Sequence, residues 1–258
     1  NNNIKNNINN DTMKGSYLGP KFKENEIDVN LKKIGANFIK TTKEDIIKKT
    51  AKAIDDGKAI GWFQGRMEFG PRALGNRSIL GDPRSEKMQK ILNLKVKYRE
   101  SFRPFAPSVL REDLHNWFEL DFDSPYMLLV SPVKKSICYK MTEREEKLFG
   151  IDKLNIKRSK IPAVTHVDYS ARIQTVHKDT NSIYYDLIKE FKKLTGCPIL
   201  INTSFNVRGE PVVCSPKDAF KCFMGTDLDV LVIENFFLEK EKQKISLIED
   251  YKNKYELD

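Results

Sequence analysis

The sequence predicts an α/β domain built around a β-sheet. Several segments place apolar residues at helical spacing, and they alternate with short apolar runs bounded by glycine, proline or polar residues. The chain has 258 residues, of which 40% are hydrophobic, and it contains no internal repeat. This length suits one large domain or two small ones, and the composition excludes a chain that is disordered over most of its length.

Three segments carry the clearest helical signals. Residues 42–57 begin with a threonine N-cap and end in glycine. Residues 182–195 have one apolar face and are followed by a glycine, whereas residues 215–225 begin with the serine, proline and aspartate of a capped first turn. A further helix is predicted after Pro83. The apolar face of the second segment consists of Ile183, Leu187, Phe191 and Leu194.

Short apolar or alternating runs predict the strands, and composition divides the chain into segments. The candidate strands are 59–63, 78–80, 166–176, 198–201 and 230–238. The domain is expected to span 41–240, preceded by a disordered or linker segment over 1–40 and followed by a charged tail over 241–258. Seven asparagines in the first ten residues support the first of these assignments. Residues 134–160 are charged and poorly patterned, which predicts a surface insertion.

Several function classes are disfavoured by composition. No apolar run approaches the roughly 18 residues of a membrane helix, and no secretory signal precedes the body, so a cytoplasmic protein is expected. The cysteines lack CxxC spacing and are interpreted as reduced thiols, three of them as packing residues. Three histidines make a histidine-rich metal centre unexpected, and no metal ligand is assigned. The three packing cysteines are Cys197, Cys214 and Cys222.

Arginine is concentrated in one part of a lysine-rich chain. Seven of the eleven arginines lie within residues 66–111, whereas the whole chain has 34 lysines. A guanidinium is a planar fork that binds phosphate or carboxylate in a bidentate way. Charge alone leaves two interpretations open, a phosphate ligand and a solvated or nucleic-acid-binding basic face.

Two segments within this basic window carry candidate ligand-binding residues. Residues 65–78 combine glycines with Arg72 and Arg77 but lack both the P-loop and the dinucleotide-binding fingerprint. Residues 95–107 place Lys97 and Arg103 among aromatic residues, and an extended backbone would point them to one side. The alternatives are a structural loop for the first segment and, for the second, core packing of its phenylalanines or binding of single-stranded nucleic acid.

Two later segments add polar residues to apolar strands. Arg172 interrupts the alternating run 166–176, and a buried charge needs a partner, which is either a ligand phosphate or a structural carboxylate. Ser204 and Asn206 follow the strand over 198–201, where small polar residues are typical of the rim of a binding loop. No GxSxG frames Ser204, so it is interpreted as a donor to a ligand oxygen; turn formation is the alternative.

Five motifs together resemble the C-terminal domain of the NodU/CmcH-type O-carbamoyltransferases. The resemblance runs from about residue 40 to about residue 238, in the family's order. The motifs are GRMEFGPRALGNRSIL (65–80), DPR (82–84), KYRESFRPFAPSV (97–109), HVDYSARIQTV (166–176) and PILINTSFNVRGEPVV (198–213).

The resemblance implies a fold, an activity and a set of site residues. The fold would be α/β, a YrdC-like twisted mixed β-sheet with flanking helices. Such a domain binds the co-substrates ATP and carbamoyl phosphate, with Mg²⁺ expected, and forms carbamoyl-adenylate for transfer to a hydroxyl. The catalytic residues would be Lys97, Arg172 and Ser204. The co-substrate-binding residues would be Arg72, Arg77, Lys97, Arg103, Arg172, Ser204 and Asn206.

The resemblance also implies a partner and leaves competing functions to weigh. The N-terminal transferase domain of the actin-like ATPase class is absent from this sequence and is expected as a domain or subunit that completes the reaction. One alternative is a basic YrdC-like RNA-binding or tRNA-modification-related module, although nucleic acid is not the favoured partner and no membrane partner is expected. Another is a non-catalytic subunit that only docks onto a second chain.

Overall fold

A computed structural model describes residue 11, residues 13–248 and residue 251. Two strand pairings in this part of the chain are parallel and join segments far apart in sequence: β2 pairs with β8, and β4 pairs with β6. All other pairings are antiparallel. The strands are β1 (Ile39–Lys40), β2 (Ile60–Phe63), β3 (Arg77–Gly81), β4 (Ala106–Leu110), β5 (Leu129–Pro132), β6 (Ser170–Val176), β7 (Ile199–Ser204), β8 (Val230–Ile233) and β9 (Phe236–Glu239).

These described strands form one mixed sheet of order β1-β9-β8-β2-β3-β7-β4-β6-β5. Strands β2, β3, β4 and β8 are buried at every position, as expected for strands in the middle of a covered sheet. The prediction of a mixed sheet with flanking helices is confirmed. Strand β7 lies between β3 and β4, so the segment that follows Ser204 leaves from the interior of the sheet rather than from its edge.

Helices cover the sheet. Helix α2 packs against α7, α1 packs against α8, and α2, α7 and α8 all contact strands. A π-helical stretch, Leu92–Val96, continues α3. The helices in the described residues are α1 (Glu24–Lys33), α2 (Lys43–Asp55), α3 (Met88–Ile91), α4 (Leu114–Trp117), α5 (Glu143–Glu146), α6 (Gly150–Leu154), α7 (Ser182–Thr195) and α8 (Pro216–Gly225).

The predicted helix ends are confirmed. Thr42 Oγ1 accepts a hydrogen bond from the Asp45 N–H at 3.1 Å, which caps α2. Ser215 Oγ accepts from the Asp218 N–H at 3.2 Å and caps α8, whose first residue is proline. Gly196 has a φ of +75° immediately after α7, the left-handed conformation that only glycine adopts without strain.

Near the two ends of the chain the structure differs from the expected boundaries. Ile27 and Leu31 of α1 are fully buried, so this part of the expected linker packs into the common core. Residues 1–10 lie outside the described residues. The strand expected over 230–238 is two strands, because Glu234 has a φ of +49° and turns the chain between β8 and β9. Of the tail, 240–242 and 245–247 form 3₁₀ turns, and 249–250 and 252–258 are not described.

Other expectations fail in detail. In α7 the buried face includes Tyr184 and Ile188, whereas Leu194 is 48% exposed, because the buried face is rotated around the helix relative to the predicted one and leaves Leu194 at its edge. Cys214 is exposed and therefore is not a packing residue, unlike Cys197 and Cys222. The charged stretch 134–160 forms short helical turns and is mostly exposed, as expected, although Arg158 and Ser159 are buried.

Within the described residues, we find no helix that is both long and apolar enough for a bilayer crossing.

Candidate anion-binding site

A cavity of about 370 Å³ lies where the turn before β4 meets the end of β7. Positively charged side chains dominate its wall, and the two neighbouring loops, 97–103 and 204–211, supply all of its lining. Four of the predicted site residues meet here. The polar residues of the lining are Lys97, Arg99, Arg103, Ser204, Asn206, Arg208 and Glu210.

Lys97 is buried, and the oxygens that accept its hydrogen bonds are neutral. Its Nζ donates to the Oδ1 atom and the carbonyl of Asn206 at 2.8 and 2.9 Å, to Ser204 Oγ at 3.3 Å and to the Ser204 carbonyl. The Ser204 hydroxyl in turn donates to Asn206 Oδ1 at 2.7 Å. Burial, with a smaller contribution from the charge of Arg99, lowers the pKa of Lys97 to about 7. An anion placed here would favour the charged ammonium.

The backbone that carries Lys97 is a turn and not the extended conformation that would point Lys97 and Arg103 to one side. Lys97 has a helical backbone conformation, and Tyr98 follows with a φ of +48°. Asn93, which is fully buried, holds the turn: its Nδ2 donates to the carbonyls of Ser101 and Arg103, and its Oδ1 accepts from Arg99 Nε at 2.7 Å. The backbone is not extended here, because one buried asparagine satisfies the turn's polar groups. A polar residue in the apolar run 88–96 was the available signal.

The arginines around the cavity differ in their pairing. Arg103 is about half exposed and pairs with Glu100 at 2.9 Å, and Glu100 also contacts Arg208 at 3.4 Å. The guanidinium of Arg99 lies 5.0 Å from the centre of the Phe105 ring. Burial and the charge of Arg103 lower the pKa of Arg99 to about 10. Positive charge therefore exceeds negative charge at the rim.

Arg72 and Arg172 form a second cationic group. The Nε atom of each is buried and has no hydrogen-bond partner among the described residues. Burial, followed by the positive charge of Arg72, lowers the pKa of Arg172. Two guanidinium groups that repel each other and leave buried donors unused are costly unless an acceptor joins them. This pair can bind a phosphate or carboxylate oxygen.

Two buried amides hold the loop of Arg72 over the strands. Gln174 Oε1 accepts from Asn202 Nδ2 at 2.8 Å, and Gln174 Nε2 donates to the Leu74 carbonyl at 2.8 Å. Asn202 Nδ2 also donates to the Ala73 carbonyl at 3.1 Å. Because side chains two positions apart share a face of a strand, Arg172 projects from the face of Gln174, and Ser204 from the face of Asn202. The arginine pair and the cavity thus lie on one face of the sheet.

Glu68 shapes the same loop. Its Oε1 atom accepts the backbone N–H groups of Leu74, Asn76 and Arg77 at 2.7, 2.8 and 3.2 Å. One buried carboxylate therefore turns the chain from 68 to 77, and Gly75 within it has a φ of +107°. Glu68, Gln174 and Asn202 were not identified from the sequence. The sequence offered one signal for them, which is that they are polar residues close in the chain to the candidate ligand-binding residues.

Arg77 is separated from this site. Its side chain is fully buried, and its guanidinium lies 3.4 Å from the centre of the Phe63 ring. The terminal nitrogens donate to the carbonyls of Gln64, Gly65, Asn76 and Pro20 at 2.8–3.4 Å. Burial lowers its pKa to about 10. We therefore leave Arg77 out of the site, because its terminal nitrogens join three chain segments, although its buried Nε atom, like those of Arg72 and Arg172, has no hydrogen-bond partner among the described residues.

A comparison with protein families decides the identity of this domain. A family described as Carbamoyltransferase C-terminus matches residues 51–240. The chain belongs to this carbamoyltransferase family. An uncharacterized protein of Synechocystis sp. is 58% identical over 235 residues, which cover 90% of this chain and 38% of the relative. Nodulation protein NolNO of Sinorhizobium fredii is 47% identical over 201 residues, covering 76% of this chain and 26% of NolNO.

One relative in this carbamoyltransferase family has a name that states its activity. The 3'-hydroxymethylcephem-O-carbamoyltransferase of Amycolatopsis lactamdurans is 36% identical over 193 residues, which cover 71% of this chain and 33% of that protein. The chain spans about a quarter to two fifths of the length of these three relatives. In the part of this chain that the structure describes, no three His, Cys, Asp or Glu side chains are grouped as a metal site.

Proposed function

We propose that this domain binds carbamoyl phosphate and ATP and forms carbamoyl-adenylate for a carbamoyltransferase reaction. One observation carries the proposal: Arg72 and Arg172 approach each other with buried Nε donors unused, on the sheet face that also carries the Lys97 cavity. Such an excess of desolvated positive charge needs an anionic ligand with several oxygens. Carbamoyl phosphate and ATP together supply that ligand.

The reaction that fits these groups needs no protein nucleophile. Water cleaves carbamoyl phosphate to carbamate and phosphate. A carbamate oxygen then attacks the α-phosphorus of ATP, a new P–O bond forms, the bond to the β-phosphate breaks, and pyrophosphate leaves. Negative charge builds up on the α-phosphate oxygens during the attack, and fixed cations stabilise it most effectively in a site shielded from water.

The roles follow from position. Lys97, Arg172 and Ser204 would contact the reacting groups: the two cations would neutralise phosphate oxygens, and the Ser204 hydroxyl would donate to one. Arg72, Arg103 and Asn206 would complete the co-substrate site. Mg²⁺ would accompany ATP. Since no cluster of three potential ligands lies within the described residues, phosphates and water would hold most of its coordination sphere.

Transfer of the carbamoyl group requires more than this chain. The relatives are about two and a half to four times as long as the matched segment, and one is named an O-carbamoyltransferase for a hydroxymethyl compound. We propose that a further domain or subunit binds the hydroxyl acceptor and receives the carbamoyl group. That component would select the acceptor, whereas this domain would activate the group.

The arginine-rich window supports a small anionic ligand over an extended nucleic-acid surface. Arg77 is buried, Arg84 is paired with Asp82 and Asp55, and Arg111 is paired with Asp123. These arginines therefore contribute little to a continuous basic face. Binding of RNA would need such a face and would weaken steeply with salt.

The proposal is tested by product analysis of ATP incubated with this chain and Mg²⁺. The expected result is AMP and pyrophosphate only when carbamoyl phosphate is present, with AMP formation abolished in the Arg172→Ala variant. ADP as the product, or AMP that forms equally without carbamoyl phosphate, would contradict the proposal.

A further inference from the structure

Tyr251 lies beyond the segment that matches the family and is buried against the core. Its side chain is only 3% exposed. A Cβ atom at Gly225 would lie 2.3 Å from the Cγ atom of the Tyr251 ring, so the ring occupies the space that glycine leaves at the end of α8. The Gly225 carbonyl also accepts from the Tyr98 hydroxyl at 2.8 Å. Gly225 thus contacts both the tail and the residue next to Lys97.

The Tyr251 hydroxyl is joined to a carboxylate in the wall of the cavity. It donates to Glu210 Oε1 at 2.5 Å, while Glu210 Oε2 accepts from the Val207 N–H at 2.9 Å. Glu210 is 8% exposed, so its carboxylate oxygens need hydrogen-bond donors within the protein. One carboxylate therefore connects Tyr251 to the backbone of the loop 206–210.

The same loop presents the oxygens that hold Lys97. The Glu210 carbonyl accepts from Asn206 Nδ2 at 2.6 Å, which fixes the orientation of the Asn206 amide. Asn206 Oδ1 then faces the Lys97 ammonium at 2.8 Å. If the Glu210 segment shifts, both the orientation of the amide and the position of the ammonium change.

We infer that Tyr251 is a positioning residue that acts through Glu210 to hold loop 206–210 in the conformation in which Asn206 faces Lys97. The inference about loop geometry rests on the hydrogen bonds alone. Its consequence for ligand affinity rests on the proposed function, because it assumes that Lys97 binds an anion. The tail and the anion site are then coupled, although 45 positions separate Tyr251 from Asn206 in the chain.

Hydrogen–deuterium exchange of the Tyr251→Phe variant tests the geometry without any ligand. Phenylalanine keeps the ring on Gly225 and removes only the O–H donor. We expect exchange over residues 206–210 to become about tenfold faster, as a lost hydrogen bond to a buried carboxylate predicts. Tyr139→Phe is the matched control, since Tyr139 is 42% exposed, and should leave this exchange unchanged. Unchanged exchange in Tyr251→Phe overturns the inference.

Two further measurements separate this inference from the proposed function. In a double-mutant cycle with Glu210→Gln, Tyr251→Phe should add little to the effect of Glu210→Gln on exchange, whereas fully additive effects contradict action through Glu210. Affinity for inorganic phosphate, measured by calorimetry, should fall about tenfold in Tyr251→Phe. Faster loop exchange in a chain that never forms AMP would contradict only the proposed function.

Discussion

Lys97 Nζ lies 2.8 Å from Asn206 Oδ1, although 109 positions separate the two residues in the chain. The contact joins the turn before β4 to the end of β7 and closes one wall of the cavity. The oxygens around the ammonium are carbonyls, an amide and a hydroxyl. None of these oxygens carries the full negative charge of a carboxylate, so an anionic ligand would be the group that pairs with the ammonium.

Removal of this charge should abolish the proposed reaction without unfolding the protein. Lys97→Met keeps the apolar stem and eliminates the ammonium, so formation of AMP from ATP and carbamoyl phosphate should fall by about two to three orders of magnitude. Lys140→Met is the matched control because Lys140 is exposed, and its rate should equal that of the wild type. A folded Lys97→Met variant with more than half of the wild-type rate would exclude Lys97 from the site.

The lowered pKa of Lys97 predicts a pH dependence of stability. Because the folded-state pKa is about 7 and the ordinary value is 10.5, the unfolded chain binds a proton between these values that the folded chain has lost. The wild type should therefore gain stability relative to Lys97→Met as the pH rises through this window, by at most about 1.4 kcal/mol per pH unit. Denaturant unfolding of both proteins at pH 7 and pH 9 measures the difference. A difference that does not change with pH would contradict the lowered pKa.

Arg72 and Arg172 should bind carbamoyl phosphate, but their mutual repulsion should lower the stability of the unliganded protein. Arg172→Ala removes the repulsion with Arg72 and one set of buried donors, so the unliganded variant should melt at the same temperature as the wild type or higher. Affinity for carbamoyl phosphate should fall about 10- to 100-fold, the loss expected for charge-assisted hydrogen bonds. Thermal shift with increasing ligand measures both quantities. Arg144→Ala, at an exposed position, serves as the control; equal ligand-induced shifts in the two variants would disprove the role of Arg172.

Arg77 should act on stability and not on ligand affinity. Arg77→Lys keeps the charge but cannot reach the carbonyls of Gln64, Gly65 and Pro20 with one planar fork, so it should cost about 2–4 kcal/mol of unfolding free energy. The Kd for carbamoyl phosphate should stay within about twofold of the wild-type value, because no hydrogen bond of Arg77 faces the cavity. Chemical denaturation measures the unfolding free energy, and calorimetry measures the Kd for carbamoyl phosphate. A weakened Kd in a variant of wild-type stability would return Arg77 to the site.

Local sequence rules predicted the elements that depend on local chemistry. The sequence predicted the helix caps at Thr42 and Ser215 and the helix end at Gly196. A helix end depends on a side-chain oxygen or a left-handed glycine within about four residues of it. The strand pairs and the place of β7 inside the sheet depend on contacts between distant segments, which periodicity does not reveal.

The candidate site shows the same division. Residue type and motif resemblance selected the proposed site residues Lys97, Arg172, Ser204 and Asn206. They also selected Arg77, whose terminal nitrogens donate to backbone carbonyls. They could not identify Asn93 or Glu68, since a buried polar residue has a structural role only once its distant partners are known. For this reason the turn at Tyr98, which Asn93 holds, was not predicted.

Isotope exchange between labelled pyrophosphate and ATP is the decisive measurement, because it detects reversible formation of carbamoyl-adenylate even when the intermediate stays bound. Exchange should require carbamoyl phosphate and Mg²⁺, persist without a hydroxyl acceptor and be lost in Arg172→Ala. Exchange that proceeds without carbamoyl phosphate, or no exchange by a folded chain that binds both co-substrates, would contradict it.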